Sequence, residues 1–383
     1  MYSFLSNQDS LELRQTADTV RRFAESELTH TAGEPFPYRR EIFTRMGELG
    51  LTAMSIGEQF GGSALGPLAI AATIFEVSRI QVGPAIYLSV HLMVSRLLGD
   101  FYEGKDKPAL LQSLASGKKL AAYCLTEAQA GSDAAALKTR ALKKGAEWIL
   151  DGEKVYISSA GLADTYLVFA RTGGDGPGDI SAFVVDRNAP GISFGKHEKK
   201  MGGEGSPIGS VSFENCRVPE SALVGAPGQG YRIALSGLSG GRVNIAACSC
   251  GVSSRALERA VTHLKERRQF GKPLAQFQGL QFMVADMAMK LRASILLAHD
   301  AAAQLARGET DRAPASLAKC FASDSAMSIT TDAVQLLGGA GYIAEYEVER
   351  LMRDAKMLQI VEGTNQIQRI LIARSLFGEA MEG

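Results

Sequence analysis

Apolar positions along the chain recur in two rhythms, and the changes between them divide it into three parts. From Asp9, the residues Leu11, Leu13, Val20, Phe23 and Leu28 return at roughly helical spacing among charged neighbours, until Gly33 and Pro35 interrupt the pattern. A second helix is expected over 39–48, then a turn-rich connection with Gly57, Gly61, Gly62 and Gly66, then two apolar helices over 68–80 and 85–101. After Gly117 the rhythm shortens to alternating or β-branched runs at 147–158, 165–172, 180–186 and 210–218, separated by Gly, Pro, Asn and Asp. No helical pattern fits between these runs, which argues against a doubly wound nicotinamide-binding fold. The glycine-rich stretch 175–179 reads as a mobile hairpin tip. From Tyr231 the helical spacing returns through 255–270, 280–306 and 316–338, lengths that suit a bundle of four or more helices. The expectation is an α+β chain with an N-terminal helical domain (1–120), a middle β domain (121–225) and a C-terminal helical bundle (226–383).

Composition narrows the function classes. Of 383 residues, 46% are hydrophobic and 21% charged, the balance of a globular protein. Lys plus Arg and Asp plus Glu both number 41, so no bulk field favours nucleic acid or an anionic membrane. No secretory signal is visible at the start, and the longest apolar run, 65–74, is too short to span a bilayer. The five cysteines (Cys124, Cys216, Cys248, Cys250, Cys320) are odd in number and scattered, and none of the five histidines lies near the closely spaced pair. Reduced, buried thiols, no metal site and a cytoplasmic location follow as expectations.

Several segments carry candidate chemistry. In 353–369 (RDAKMLQIVEGTNQIQR), Glu362 stands between Ile360, Val361 and Gly363, so its carboxyl group should be poorly solvated and its pKa raised toward that of a general base. The alternative is an ordinary glutamate at a helix start, with Thr364 and Asn365 as capping residues. In 123–133 (YCLTEAQAGSD), backbone amides and the hydroxyls of Thr126 and Ser132 suit a flavin edge or a phosphate, or an ordinary polar loop. In 154–160 (KVYISSA), Tyr156 and Ser158 share a strand face by the period of two, and a flat heterocycle could stack there. Arg267, within 267–271 (RRQFG), and Gln278 offer a guanidinium and an amide suited to a pyrophosphate. Residues 237–241 formally match the GxSxG nucleophile elbow around Ser239. That motif needs a buried strand before it, whereas helical spacing flanks it here, and His263 and His299 also fall on expected helices. The run 339–344 (GAGYIA) follows a helix rather than a strand, which weakens its reading as a dinucleotide fingerprint.

RDAK followed by EGTNQIQR resembles the carboxy-terminal signature of the acyl-CoA dehydrogenase family of flavoproteins, and further family motifs occur in order over nearly the whole chain. The resemblance implies FAD as cofactor and Glu362 as the residue that removes the α-proton of an acyl-CoA. It implies flavin contacts from Tyr123, Cys124, Leu125, Thr126 and Ser132, with Ser132 also reaching the acyl-CoA; here Ala128 and Gln129 replace the family's Pro-Gly. Tyr156, Ile157 and Ser158 correspond to the strand at the flavin face. Arg242 corresponds to the arginine near the thioester, with Gly363 beside the base. Ser239 stands where the family has Asp or Asn. Gly241 occupies the position from which some members supply the base. Arg267, Gln278 and Gln335, Leu336, Leu337, Gly338 and Gly339 correspond to residues holding the FAD of a neighbouring subunit, and Thr364, Asn365 and Gln366 to further FAD contacts. An electron-transferring flavoprotein as acceptor and a homotetramer are also implied.

Within the family, YCLTE, RTGG at 171–174, SFGKHEKKMG and GGRVNIAACSCG are most similar to the members acting on isobutyryl-CoA. Butyryl-CoA, 2-methylbutyryl-CoA and a carrier-protein thioester are alternative substrates. A serine hydrolase using Ser239 and a non-enzymatic helical assembly protein are the readings from other classes.

Overall fold

The computed structural model describes residues 2–309 and 311–378. Ser10 starts α1 (Leu11–Glu27), its hydroxyl accepting from the Leu13 amide at 3.2 Å. Val20, Phe23 and Leu28 enter the core as their spacing predicts, but Leu11 lies in the first turn and faces solvent. After α2 (Arg40–Glu48), two 3-10 turns, Leu51–Ala53 and Glu58–Phe60, fill the glycine-rich connection. α3 (Pro67–Ser78), α4 (Val82–Phe101) and the unanticipated α5 (Lys107–Ala115) complete the first helical part.

Contrary to the run-length expectation, α4 is long and apolar enough to cross a membrane by length and composition. Ser89, His91, Ser95 and Arg96 break its apolar run in sequence. Its window is nonetheless 83% buried inside the protein, so it is a core helix. His91 shows why: the Ala121 amide donates to its Nδ1 at 3.2 Å, and burial pulls the imidazole pKa down to about 4, so it stays neutral.

The strands are β1 (Ala121–Cys124), β2 (Arg140–Lys144), β3 (Glu147–Ser158), β4 (Thr165–Arg171), β5 (Ile180–Asp186), β6 (Ile192–Phe194), β7 (Ile208–Pro219) and β8 (Leu223–Val224). They form one sheet in the order β6-β7-β3-β2-β4-β5-β8, with β1 parallel to the first part of β4. Every residue of β4 is buried, which marks it as the sheet's central strand. Its turn into β5 was expected to be mobile. The Arg171 guanidinium reaches into it, donating to the carbonyls of Gly174 at 3.1 Å and Gly176 at 3.0 Å.

The last part comprises α6 (Gly230–Glu266), the short hairpin β9 (Arg268–Gln269) and β10 (Lys272–Pro273), α7 (Gln278–Ala306), α8 (Ala313–Leu337), α9 (Val348–Leu358) and α10 (Asn365–Phe377). α6 is the axis, packed against α3, α4, α7, α8 and α9. Its middle is rich in Gly, Ala, Ser and Cys, and small residues let neighbouring backbones approach. At Gly251 a Cβ would stand 2.5 Å from the Phe75 carbonyl oxygen, so α3 crosses there in direct contact. All five cysteines are free and buried.

Candidate active site

The loop between α9 and α10 turns back on itself because Glu362 and Gly363 both take left-handed φ, +57° and +89°. For a glutamate this costs on the order of 1 kcal/mol, so surrounding bonds must hold it. Gln368, fully buried, donates to the carbonyls of Glu362 at 3.2 Å and Gly363 at 2.9 Å. Lys319 of α8 donates to the Gly363 carbonyl at 2.9 Å. Thr364 caps α10, its hydroxyl accepting from the Ile367 amide at 3.4 Å. Capping thus belongs to Thr364, which leaves Glu362 free for chemistry.

The same geometry drives the Glu362 side chain inward. Oε2 lies so close to α6 that a Cβ at Gly241 would sit 2.5 Å away. Glu362 as a whole is half-buried, yet Oε2 is sealed from solvent and has no hydrogen-bond partner. Of the neighbours expected to exclude water, Val361 packs on the core but Ile360 is 54% exposed. The desolvation comes from α6 instead. Burial pushes the carboxyl pKa up to about 7, opposed by the cations of Arg242 and Lys319. A carboxylate so poised, unpaired and dry, is suited to taking a proton from a weak carbon acid.

Three small residues at helical spacing, Ala234, Gly237 and Gly241, set the wall opposite. Tyr123 donates its hydroxyl to the Ala234 carbonyl at 3.3 Å. Its pKa is raised well above the usual value by burial and by the charge of Glu362, so it keeps its proton. A Cβ at Gly237 would meet Leu97 at 3.0 Å and Met93 at 3.2 Å. Met93, Leu97 and Lys319 were not among the expected site residues; ordinary helical spacing is their only sequence signal. Arg242 is buried, and its Nε donates to the Glu362 carbonyl over a long 3.5 Å. Ser239 lies within α6 with no strand before it, and His299 pairs with Asp9 at 3.1 Å, so no nucleophile elbow exists here.

The two segments expected to face a flavin lie side by side, the Val155 amide donating to the Thr126 carbonyl at 2.9 Å. Glu127 anchors them, accepting from Lys154 at 2.8 Å, the Thr139 amide at 2.9 Å and the Lys138 amide at 2.6 Å. Gln129 joins this anchor at 2.7 Å, while the backbones of Glu127 and Ala130 exchange bonds of 3.2 and 3.1 Å. The turn is thereby closed without the family's Pro-Gly. Tyr156 and Ser158 do not share a regular pleat face. A register shift falls between Lys154 and Ile157, and Tyr156 has φ +58°. The bulge leaves Tyr156 67% exposed, Ile157 buried and Ser158 half-buried.

The other expected contacts differ in which groups they leave open to a ligand. Cys124, Leu125, Ile157, Leu336 and Leu337 bury their side chains in the core, so they can offer a cofactor only main-chain groups. Asn365 spends its side chain on Lys319 at 2.7 Å, Ser323 at 2.9 Å and Asp324 at 2.7 Å. Gln335, Gly338, Gly339 and Gln366 are exposed, as are Ser132, Arg267 and Gln278. The Arg267 side chain is exposed, and among the described residues no cluster fit to hold a metal is present. Thr126, Ser132, Tyr156 and Ser158 therefore present a ring and hydroxyls from two joined segments, a donor set that fits a flat, hydrogen-bonding heterocycle.

The buried carboxyl group makes a stability prediction. Its folded pKa of about 7 exceeds the ordinary 4.5, so between those values the folded protein binds more protons than the unfolded chain. The associated stabilisation is full below about 4.5 and lost as pH rises through about 7. Glu362→Gln, which cannot ionise, should melt above the parent by a margin that widens from about pH 5 to about pH 8, reaching roughly 3 kcal/mol at most. A margin constant across that range, measured by thermal melts, would show a solvated carboxylate.

Three family models match consecutively: Acyl-CoA dehydrogenase, N-terminal domain, over residues 10–118; middle domain, over 122–216; and C-terminal domain, over 228–377. An acyl-CoA dehydrogenase of Bacillus subtilis (strain 168) is 42% identical over 94% of this chain and 96% of its own. The mitochondrial isobutyryl-CoA dehydrogenase of Dictyostelium discoideum is 41% identical over 90% of this chain and 82% of its own. The solved butyryl-CoA dehydrogenase of Megasphaera elsdenii superposes with a TM-score of 0.94 at 36% identity, covering 97% of this chain and all of the other.

Proposed function

Because the chain belongs to the acyl-CoA dehydrogenase family, and so is an oxidoreductase acting on the CH–CH group of an acyl-CoA, we propose that it binds FAD and dehydrogenates a short branched-chain acyl-CoA, isobutyryl-CoA first, to the 2-enoyl-CoA. The observation that carries this reading is Glu362 Oε2, buried and unpartnered against Gly241. Glu362 takes the α-proton of the thioester. Arg242 and Lys319 keep that carboxylate ionisable without neutralising it in an ion pair. Tyr123, Met93 and Leu97 pack against the neighbouring turns of α6, at Ala234 and Gly237. Thr126, Ser132, Tyr156 and Ser158 would hold the flavin, with Gln366 a further FAD contact, and the exposed Arg267, Gln278 and Gln335 would hold the FAD of a neighbouring subunit. FAD, when bound, supplies the acceptor for the hydride that leaves the β-carbon.

Electrons then pass to an electron-transferring flavoprotein, and the working unit is a homotetramer. Supporting the oligomer, Phe282, Met289 and Leu296 form an exposed apolar stripe at seven-residue spacing along α7, beside exposed Leu317 and Phe321 of α8. The five free, buried thiols support a reducing, cytoplasmic setting.

Val361 favours the branched substrate, since a small side chain immediately before the base leaves room for a methyl branch. Butyryl-CoA is the second reading, supported by the likeness to the Megasphaera enzyme. A panel of acyl-CoA thioesters, mixed anaerobically with the FAD-loaded protein, tests both. Isobutyryl-CoA should exceed octanoyl-CoA in kcat/KM by at least about tenfold, the scale of one or two apolar contacts. A preference for octanoyl-CoA would reject the short-chain assignment.

A further inference from the structure

One buried charge beside the base needs an explanation of its own. Lys319 of α8 has no exposed surface, and a buried ammonium is among the costlier groups a core can hold. Buried lysines ordinarily pair with a carboxylate, as Lys154 does with Glu127 at 2.8 Å. Lys319 instead donates to two neutral oxygens, the Gly363 carbonyl at 2.9 Å and Asn365 Oδ1 at 2.7 Å. Asn365 is fixed from its other end, its amide donating to Ser323 at 2.9 Å and Asp324 at 2.7 Å. The ammonium is therefore clamped to the base loop without being neutralised.

We propose that Lys319 is the positioning residue for the base: its ammonium holds the Gly363 carbonyl, and so the left-handed loop that carries Glu362, and leaves an unneutralised cation in that loop's support. This rests on the reading of Glu362 as the base. The charged and titratable groups around the pair come from several elements. Glu362 is faced by Arg242 from α6, Tyr123 from β1 and Lys319 from α8. Lys319 is faced by Glu362, by Arg242, and by Cys320 and Asp324 of its own helix. Arg369 of α10 holds Asp324 from the far side, and Arg312, at the start of α8, faces Arg242. Tyr123 keeps its proton, the Cys320 thiol is pushed up, and Asp324 is held below its ordinary range despite its burial by hydrogen bonds from Arg369, Gln359 and Asn365. Burial lowers the Lys319 pKa to about 8, so at neutral pH it is still a cation. Substitution can remove its charge while leaving Arg242 at the thioester site untouched.

Infrared titration of the Glu362 carboxylic-acid band, identified by its loss in Glu362→Gln, reads this protonation directly in FAD-loaded protein without substrate. In the parent the band should fade through about pH 7. Lys319→Gln keeps a donor for the Gly363 carbonyl and drops the charge, and should move that midpoint up by about one pH unit. Lys319→Met loses both, and should also slow flavin reduction by acyl-CoA where Glu362 is ionised, because the loop is no longer clamped. An unmoved midpoint in Lys319→Gln overturns the proposal. So does loss of FAD from both variants, which would assign Lys319 to stability alone. The base assignment is judged separately, by flavin reduction in Glu362→Gln, so either can fail without the other.

Discussion

Glu362→Gln is expected to keep its fold, its FAD and its affinity for acyl-CoA while losing flavin reduction by a factor of about 10² to 10⁴, the usual cost of removing a general base. The amide preserves the shape of a side chain whose Oε2 accepts no bond, so nothing in the packing depends on its charge. What disappears is the proton acceptor. Among the groups placed around the site, none can substitute: Tyr123 holds its proton, Arg242 is a cation, and the alternative position on α6 is Gly241. Anaerobic mixing with isobutyryl-CoA, followed by bleaching of the oxidised flavin, separates this step from reoxidation. In the parent the bleaching rate should rise with pH through about 7 as Glu362 ionises. Bleaching in Glu362→Gln within a few-fold of the parent would place the base elsewhere.

Glu362 was legible in sequence as a candidate base, a glutamate set between apolar residues and a glycine, but the cause of its dryness was not, since α6 rather than Ile360 covers the carboxylate. Nor were its neighbours. Lys319 reaches the loop of Glu362, and Met93 and Leu97 reach α6 at Gly237, through helix packing, and their spacing is that of any core residue. Tyr156 shows the opposite failure. The sequence of 154–158 predicts strict alternation, but a single extra residue in β3 breaks the period of two, and neither Val155 nor Tyr156 announces a bulge. α4 escaped the bilayer-length test for a related reason, since polar residues buried by hydrogen bonds interrupt an apolar run without interrupting a helix. Glu127 and Gln129 lay within the quoted loop, yet their role depends on Lys154 and Thr139, which only the folded sheet brings near.

Gly241→Ala should separate stability from chemistry. A methyl group there would stand 2.5 Å from Glu362 Oε2 and 2.8 Å from its Cδ, closer than real atoms approach. The position is inside α6, where alanine is favoured over glycine by roughly 1 kcal/mol, and the group it strikes is the free end of a flexible side chain. The helix therefore stays and the carboxylate moves. Gly251 on the same helix illustrates the contrast, because there the obstacle is the Phe75 backbone, which cannot step aside. A displacement of about 1 Å at a reacting group can cost on the order of 10²-fold in rate. Gly241→Ala should accordingly melt at or above the parent temperature, retain FAD, and reduce its flavin about a hundredfold more slowly. If the variant reacts at the parental rate with unchanged stability, the Glu362 carboxylate does not rest against α6 when substrate is bound. The base would then swing out of this contact before it takes the proton, and the dry, unpaired carboxylate seen here would be its resting position rather than its working one.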